Sequence, residues 1–364
     1  MVHREIRLHH VIRKTILSLI ALAFLASAAG RPADTQRVVA IADIHGDLDA
    51  FVGILRRTGL VDANIRWSAR NTTLVQTGDI LDRGPKARAA MDLLMALQKD
   101  APRQGGRVIV LMGNHEAMNI YGDLRYVTPA DYASFADRKS ESRRKSAYKA
   151  YAELNKNSSE TEWTKAHPAG FIEHREAFGP DGKYGKWLRS LPAVARINDS
   201  IFLHGGIHPQ FASWKLEKIN DVVAAEIKAF DAYKQFMVEQ KIALPFYTLD
   251  ELTMAANAAV EKKVDVLKDF LGLGGWLSIH PDGPLWFRGY AEWSDPEGAA
   301  QIQTLTEGFG VSRFVVGHTP QAGQIAERFE GKVYLIDTGM LSGYVNGGRA
   351  SALNIQDGRV SPIY

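Results

Sequence analysis

Five short polar stretches each follow an apolar run: Asp43-Ile44-His45-Gly46-Asp47, Gly78-Asp79-Ile80-Leu81-Asp82-Arg83-Gly84, Gly113-Asn114-His115-Glu116, His204-Gly205-Gly206 and Gly317-His318-Thr319-Pro320. Carboxylates, imidazoles and a carboxamide are ligands for divalent cations, and glycine in each stretch lets the backbone turn tightly beside a ligand. Oxygen and imidazole together suit Mn, Fe or Zn better than Ca or Mg. Six such residues, Asp43, His45, Asp79, Asn114, His204 and His318, exceed the three or four protein ligands that one zinc takes. Two metals sharing one bridging carboxylate account for the surplus. Taken singly, an aspartate after a strand is ordinarily a turn or helix cap, and a lone strand-end histidine a surface residue. Repetition of the same strand, glycine and ligand unit five times is what points to a site.

For these loops to meet, they must leave one edge of a sheet. Residues 37–42 (RVVAIA), 72–76 (TTLVQ) and 107–112 (RVIVLM) read as buried strands. Residues 48–60 and 86–99 read as amphipathic helices between them, the second preceded by Pro85. Strand, helix, strand, helix, strand at this spacing implies parallel βαβ units. In parallel α/β sheets the loops at the carboxyl ends of strands converge on one edge, where ligands bind. Strand-like sequence returns at residues 194–197, 200–204, 313–317, 332–337 and 352–355. Residues from about 130 to 190 and from 214 to 273 read as helical insertions that shape a cleft. There are no internal repeats and no low-complexity tract.

The first 28 residues read differently from the rest. Arg4, Arg7, Arg13 and Lys14 precede the apolar run ILSLIALAFL and the small-residue site Ala26-Ser27-Ala28. That is the pattern of a cleaved secretory signal, too short for a comfortable membrane span of about 20 residues. The expectation is an exported product, periplasmic or secreted, with no stable membrane insertion after cleavage; an uncleaved N-terminal anchor is the alternative. A polar linker over residues 29–36 and one catalytic domain over 37–364 would follow. The segment carries four of the 44 basic residues and one of the 41 acidic ones, so 40 of each remain. A near-neutral chain gives no reason to expect a nucleic-acid partner. Cysteine is absent, so the exported chain uses no disulfide and any metal site is built from nitrogen and oxygen.

As a set, DIHG, GDILDRG, GNHE, HGG and GHTP resemble the signature motifs of the calcineurin-like metallophosphoesterases, and specifically their phosphoprotein phosphatase branch. The longer strings GNHEAMNIYGDLRYV (113–127) and GPLWFRGY (283–290) resemble the Shewanella-like protein phosphatases within it. The resemblance spans about residues 37–364. It implies an α/β metallophosphoesterase fold, a β-sandwich of mixed sheets flanked by helices. Many phosphodiesterase and nuclease members carry Gly-His-x-His, in which the second histidine serves the first metal. Pro320 stands there in this chain. Asp82-Arg83-Gly84 is typical of the protein phosphatase and diadenosine-tetraphosphatase branches.

By this resemblance Asp43 and His45 hold a first metal, Asp79 bridges, and Asn114, His204 and His318 hold a second, manganese being the expected ion with iron or zinc as alternatives. A metal-bridging hydroxide would attack phosphorus directly. His115, oriented by Asp82, would donate a proton to the leaving oxygen. Arg83 and Arg288 would clamp the phosphate beside Asn114, since guanidinium matches phosphate geometry; a salt-bridged structural role is the other reading of Arg288. Arg125 and Tyr126 are candidates for lining the cleft or for structure. Asp337 is expected to support a strand-end turn rather than bind metal, and His167, His174, His208 and His280 to serve ordinary hydrogen bonding. The implied activity is a phosphomonoesterase acting on phosphoproteins or phosphopeptides, on phosphotyrosine and also on phosphoserine and phosphothreonine. A scavenging phosphatase for small phosphomonoesters, a symmetrical dinucleotide polyphosphatase and a non-catalytic binding module are the alternatives.

Overall fold

Alternate residues of the first strand face two different cores. In β1 (Val38–Ile41), Val38 and Ala40 join Val75, Ile109, Phe202, Val315 and Leu353 in one buried layer. Val39 and Ile41 point the other way, into a larger layer with Phe51, Ile54, Met91 and Leu94. This two-residue period, apolar on both faces, is what a strand covered by a second sheet on one side and helices on the other requires.

The computed structural model describes residues 36–364. The expected signal segment, and the linker up to residue 35, lie outside the described residues. Besides β1, the strands are β2 (Thr73–Gln76), β3 (Arg107–Val110), β4 (Val194–Ile197), β5 (Ser200–Leu203), β6 (Arg313–Val316), β7 (Ala326–Arg328), β8 (Val333–Leu335), β9 (Ala352–Gln356) and β10 (Arg359–Ile363). They form two five-stranded sheets, in the orders β10-β9-β1-β2-β3 and β4-β5-β6-β8-β7. β1, β2 and β3 are parallel, as are β5, β6 and β8, while β9, β10, β4 and β7 pair antiparallel. The fold is therefore α/β, two mixed sheets packed as a sandwich and flanked by helices.

The first helices follow from local chemistry. In α1 (Leu48–Arg57), the Asp47 side chain accepts from the Ala50 N–H at 3.0 Å and caps the N-terminus, and Phe51, Ile54 and Leu55 fall on one buried face. α2 (Ala87–Asp100) buries Ala87, Ala90, Met91, Leu94 and Leu97 at the same period. α3 (Asn114–Tyr121) is buried on every side. Helices Pro129–Phe135, Ser140–Leu154, Glu160–Ala166, Phe171–Phe178 and Lys183–Leu188 lie between β3 and β4. Leu216–Glu239, Leu249–Glu261 and Leu267–Leu271 lie between β5 and β6. Among the described residues no helix is long and apolar enough to cross a membrane.

The sequence patterns did not reveal β7, β10 or a helix at Asp295–Phe309. β7 and β10 are edge strands with one partner each, so their side chains stay largely exposed and the apolar alternation is lost. Pro362 in β10 is tolerated because it sits on that edge.

Candidate active site

β1, β2 and β3 end on one edge of the first sheet, and β5 and β6 on the matching edge of the second. Their following loops bring Asp43, His45, Asp79, Asp82, Asn114, His115, His204 and His318 into one buried cluster. The β2 and β3 loops touch: a Cβ on Gly78 would lie 2.4 Å from the Gly113 nitrogen, and one on Gly113 would lie 2.3 Å from Asp79 Oδ1. Only glycine permits that approach.

Three histidines are oriented alike. His45 Nδ1 lies 2.9 Å from the Leu81 carbonyl, His204 Nδ1 2.9 Å from that of Thr77, and His318 Nε2 3.0 Å from that of Trp286. A ring N–H on each of these nitrogens leaves a lone pair on the other. Those free nitrogens face acceptors. His45 Nε2 lies 3.7 Å from Asp79 Oδ2 and 3.9 Å from Asp43 Oδ2. His204 Nε2 lies 2.8 Å from Asn114 Oδ1, 3.2 Å from Asp79 Oδ1 and 3.1 Å from His318 Nδ1. Lone pairs and carboxylates converging on one another repel unless cations lie among them, and carbonyl-anchored imidazoles are the usual support of metal ligands. The donor set fits divalent metals. Two groups bring their ligand atoms within 4.8 Å of one another: His45, Asp79 and His115, and Asp79, His204 and His318. Asp79 belongs to both.

Charge tells the same story. Burial opposes protonation of His204, but Asp79 and Asp43 outweigh it and lift the imidazole to about 9. The carboxylates call for a positive charge there, which a divalent cation supplies in place of a proton. Burial pushes His45 down to about 3, against the pull of Asp79, so that ring is neutral. Burial raises the Asp43 carboxyl well above its ordinary range, and Asp337 raises it further.

His115 differs from the other three. Its Nδ1 donates to a carboxylate, Asp82 Oδ2, at 2.6 Å. Burial disfavours its charged form, yet Asp79 and Asp82 prevail and raise its pKa. Arg83 Nη2 lies 3.4 Å from His115 Nε2, and Arg83 Nε is buried with no hydrogen-bond partner. Arg288 Nη1 donates to the His318 carbonyl at 3.0 Å and to Thr319 Oγ1 at 3.1 Å, so this arginine is tied to the β6 loop rather than salt-bridged. Arg125 is outside the cluster, held by Asp123 at 2.6 and 2.8 Å. Tyr126 is inside it, its ring 5.1 Å from that of His115. Asp337 does support a turn, accepting from the Gly339 N–H at 2.9 Å, but its buried Oδ2 has no partner. His167 and His174 are buried among aromatic rings away from the cluster, and His208 and His280 each accept a local backbone N–H.

Two residues that hold this geometry had no assigned role in the sequence reading. Glu116 accepts from the N–H groups of Asp79 (2.7 Å), Ile80 (2.9 Å), Leu81 (3.3 Å) and Gly113 (2.8 Å). That carboxylate stabilises the strained loop after β2, in which Asp79, Asp82 and Arg83 all have positive φ, between 56° and 68°. Asn119 bonds the second oxygen of Asp82. Glutamate three residues after Gly113 is a helix-capping signal, and Asn119 lies one turn beyond His115; spacing marks these positions but not the partners they hold.

A family model described as calcineurin-like phosphoesterase matches residues 36–322. The chain is 32% identical over 331 residues to an uncharacterized protein of Schizosaccharomyces pombe, covering 90% of this chain and 79% of that one. It is 29% identical over 329 residues to Shewanella-like protein phosphatase 2 of Arabidopsis thaliana, covering 86% and 73%. The crystal structure of the cold-active protein-tyrosine phosphatase of a psychrophilic Shewanella species matches with a TM-score of 0.60 at 26% identity, covering 90% of this chain and 77% of that one.

Proposed function

The chain belongs to the calcineurin-like phosphoesterase family, and on that premise we propose that it is a two-metal phosphomonoesterase acting on phosphoproteins or phosphopeptides, phosphotyrosine foremost. The observation that carries the reading is the His115–Asp82 pair at 2.6 Å, set beside an arginine and two potential metal groups. Asp43, His45 and Asp79 would hold one cation and Asp79, Asn114, His204 and His318 the other; His115, close to His45 and Asp79, is assigned to Asp82, which holds its Nδ1, and not to a metal. Two such cations, when bound, supply charge to the phosphoryl oxygens and lower the pKa of water.

The remaining chemistry belongs to side chains. His115 Nδ1–H donates to Asp82, which fixes the ring and stabilises its charged form, so Nε2 can carry the proton that the leaving oxygen needs. Arg83 rests near Nε2; an incoming phosphate offers its guanidinium better acceptors and frees that nitrogen. Arg288, anchored through one nitrogen, keeps the rest of its guanidinium for the phosphate. The names of the Arabidopsis and Shewanella relatives support a protein phosphatase. The apolar leader of the sequence supports export, to the periplasm or beyond, and with it a second reading, a scavenger of small phosphomonoesters.

Protein beginning at Ala29, stripped of metal and reloaded with Mn²⁺, tests this. A phosphotyrosine peptide, the matching phosphoserine peptide, a small sugar phosphate, a symmetrical dinucleotide polyphosphate and a phosphodiester are compared by kcat/KM. Preference for phosphopeptides, led by phosphotyrosine, is the expected result. Preference for the sugar phosphate selects the scavenger, and comparable diester or dinucleotide cleavage rejects both.

A further inference from the structure

Two tyrosine rings enclose Arg83. Its guanidinium carbon lies 4.4 Å from the ring centroid of Tyr126 and 4.3 Å from that of Tyr344. Both rings are open to solvent, at 37% and 40% exposure, in a chain that buries most of its aromatic residues wholly or partly. Their surroundings differ. Tyr126 packs against His115 with centroids 5.1 Å apart, while Tyr344 packs against His45 at 5.6 Å. The Tyr126 carbonyl also accepts from the Arg83 N–H at 3.0 Å, which ties this ring to the loop that carries Asp82 and Arg83.

We propose that Tyr126 is the wall of a leaving-group subsite that selects aryl over alkyl phosphomonoesters, and that Tyr344 positions Arg83 through the second ring contact. The inference rests on the phosphomonoesterase reading above. A phosphate held by Arg83 must present its leaving oxygen within hydrogen-bond reach of His115 Nε2. Whatever is attached to that oxygen then passes beside the side chain that borders both Arg83 and His115. Tyr126 is that side chain. An aromatic leaving group covers its exposed ring and gains the edge or offset contact that aromatic pairs favour. The short methylene of a phosphoserine leaves the ring largely wet. Tyr344 borders His45 rather than His115, so its contribution is to hold the guanidinium by stacking. Stacking costs Arg83 none of its hydrogen-bond donors, whereas a carboxylate partner would compete with the phosphate.

The test uses Mn²⁺-loaded protein and one peptide sequence carrying either phosphotyrosine or phosphoserine. Wild type, Y126A, Y126L, Y126F and Y344A are compared, and the difference in intrinsic reactivity between the two esters cancels when the kcat/KM ratio of each variant is divided by that of wild type. Tyr126 is exposed, so its truncation opens no core cavity, and Y126L retains bulk if Y126A proves poorly folded. Y126A and Y126L are expected to lower the phosphotyrosine-to-phosphoserine ratio about 5-fold or more, and Y126F to keep it. Y344A is expected to raise KM for both peptides by a similar factor and leave the ratio in place. An unchanged ratio in active Y126A and Y126L overturns the assignment alone. A wild-type protein that hydrolyses neither peptide overturns the phosphopeptide phosphatase reading, and this inference with it.

Discussion

Asn119 Nδ2 donates to Asp82 Oδ1 at 2.9 Å while Asp82 Oδ2 receives the His115 Nδ1 proton, so neither oxygen of that buried carboxylate is left unpaired. The same amide nitrogen lies 3.0 Å from the His115 carbonyl, one turn back along α3. The Asn119 carbonyl in turn accepts from Arg175 at 2.8 Å, so a continuous chain of bonds runs from helix Phe171–Phe178 to the imidazole. Asn119 is a positioning residue in this arrangement. N119A frees the Asp82 carboxylate to rotate and leaves one oxygen buried without a donor. Its kcat is expected to fall about 10-fold, with KM and bound Mn²⁺ little changed and the alkaline limb of the kcat–pH profile, where the proton donor is lost, displaced. A kcat equal to wild type shows that Asp82 is held by other contacts.

A proton donor matters most when the leaving group is a poor one. H115N removes the ionisable Nε2 but no proposed metal ligand, and is expected to lower kcat for a phosphoserine peptide about 100-fold or more. With 4-nitrophenyl phosphate, whose leaving group departs without protonation, the loss should be markedly smaller. Equal losses on both substrates, at undiminished metal content, remove His115 from the proton-transfer step.

Glu116 receives four backbone N–H groups with two oxygens, and it is fully buried. E116Q keeps the size but turns an amide –NH₂ toward N–H donors. One or more buried donors are then left unsatisfied, at about 1–3 kcal/mol each. Denaturant unfolding of metal-free protein should show a loss of about 2 kcal/mol or more. The loop presenting Asp79 loosens as well, so Mn²⁺ affinity by calorimetry is expected to drop about 10- to 100-fold. Wild-type affinity in a destabilised E116Q indicates that the glycine contacts alone shape the metal loops.

Legibility from sequence followed burial. β1, β2 and β3 stood out because both faces of each are covered, which makes them continuous apolar runs ended by glycine and charge. β7 and β10 did not, since an exposed edge strand needs no apolar pattern. The helix at Asp295–Phe309 buries only Gly298, Ile302, Leu305 and Thr306, and glycine and threonine hide its period. In the cluster, the polar residues were visible because each interrupts an apolar run where a core has no use for charge. Asn119 and Glu116 act on the backbone or on another side chain, so their roles depend on where Asp79 and Asp82 lie in space. Tyr344 sits in a glycine-rich stretch, SGYVNGG, with no periodicity at all. Only the return of the chain from β8 to β9 brings it over Arg83.

His174 gives the fold a pH dependence independent of the metals. Its ring stacks on Phe178 at 4.3 Å and meets the edges of Tyr132 and Phe135, and its Nδ1 has no hydrogen-bond partner. Burial, with the Arg175 charge adding to it, holds its pKa well below the usual 6.5. The unfolded chain therefore binds a proton below about pH 6.5 that the native state refuses. Stability from this site is fully present above that pH and declines as pH falls toward the depressed native value. For one histidine the decline is at most about 1.4 kcal/mol per pH unit. H174F keeps the aromatic stack and removes the titration. Urea unfolding of wild type and H174F at pH 7.5, 6.5 and 5.5, with EDTA so that metal affinity does not enter, should give curves that diverge only below pH 6.5, wild type falling faster. Parallel curves across that window mean that the native state accommodates a charged His174 after all, and that the aromatic pocket admits water.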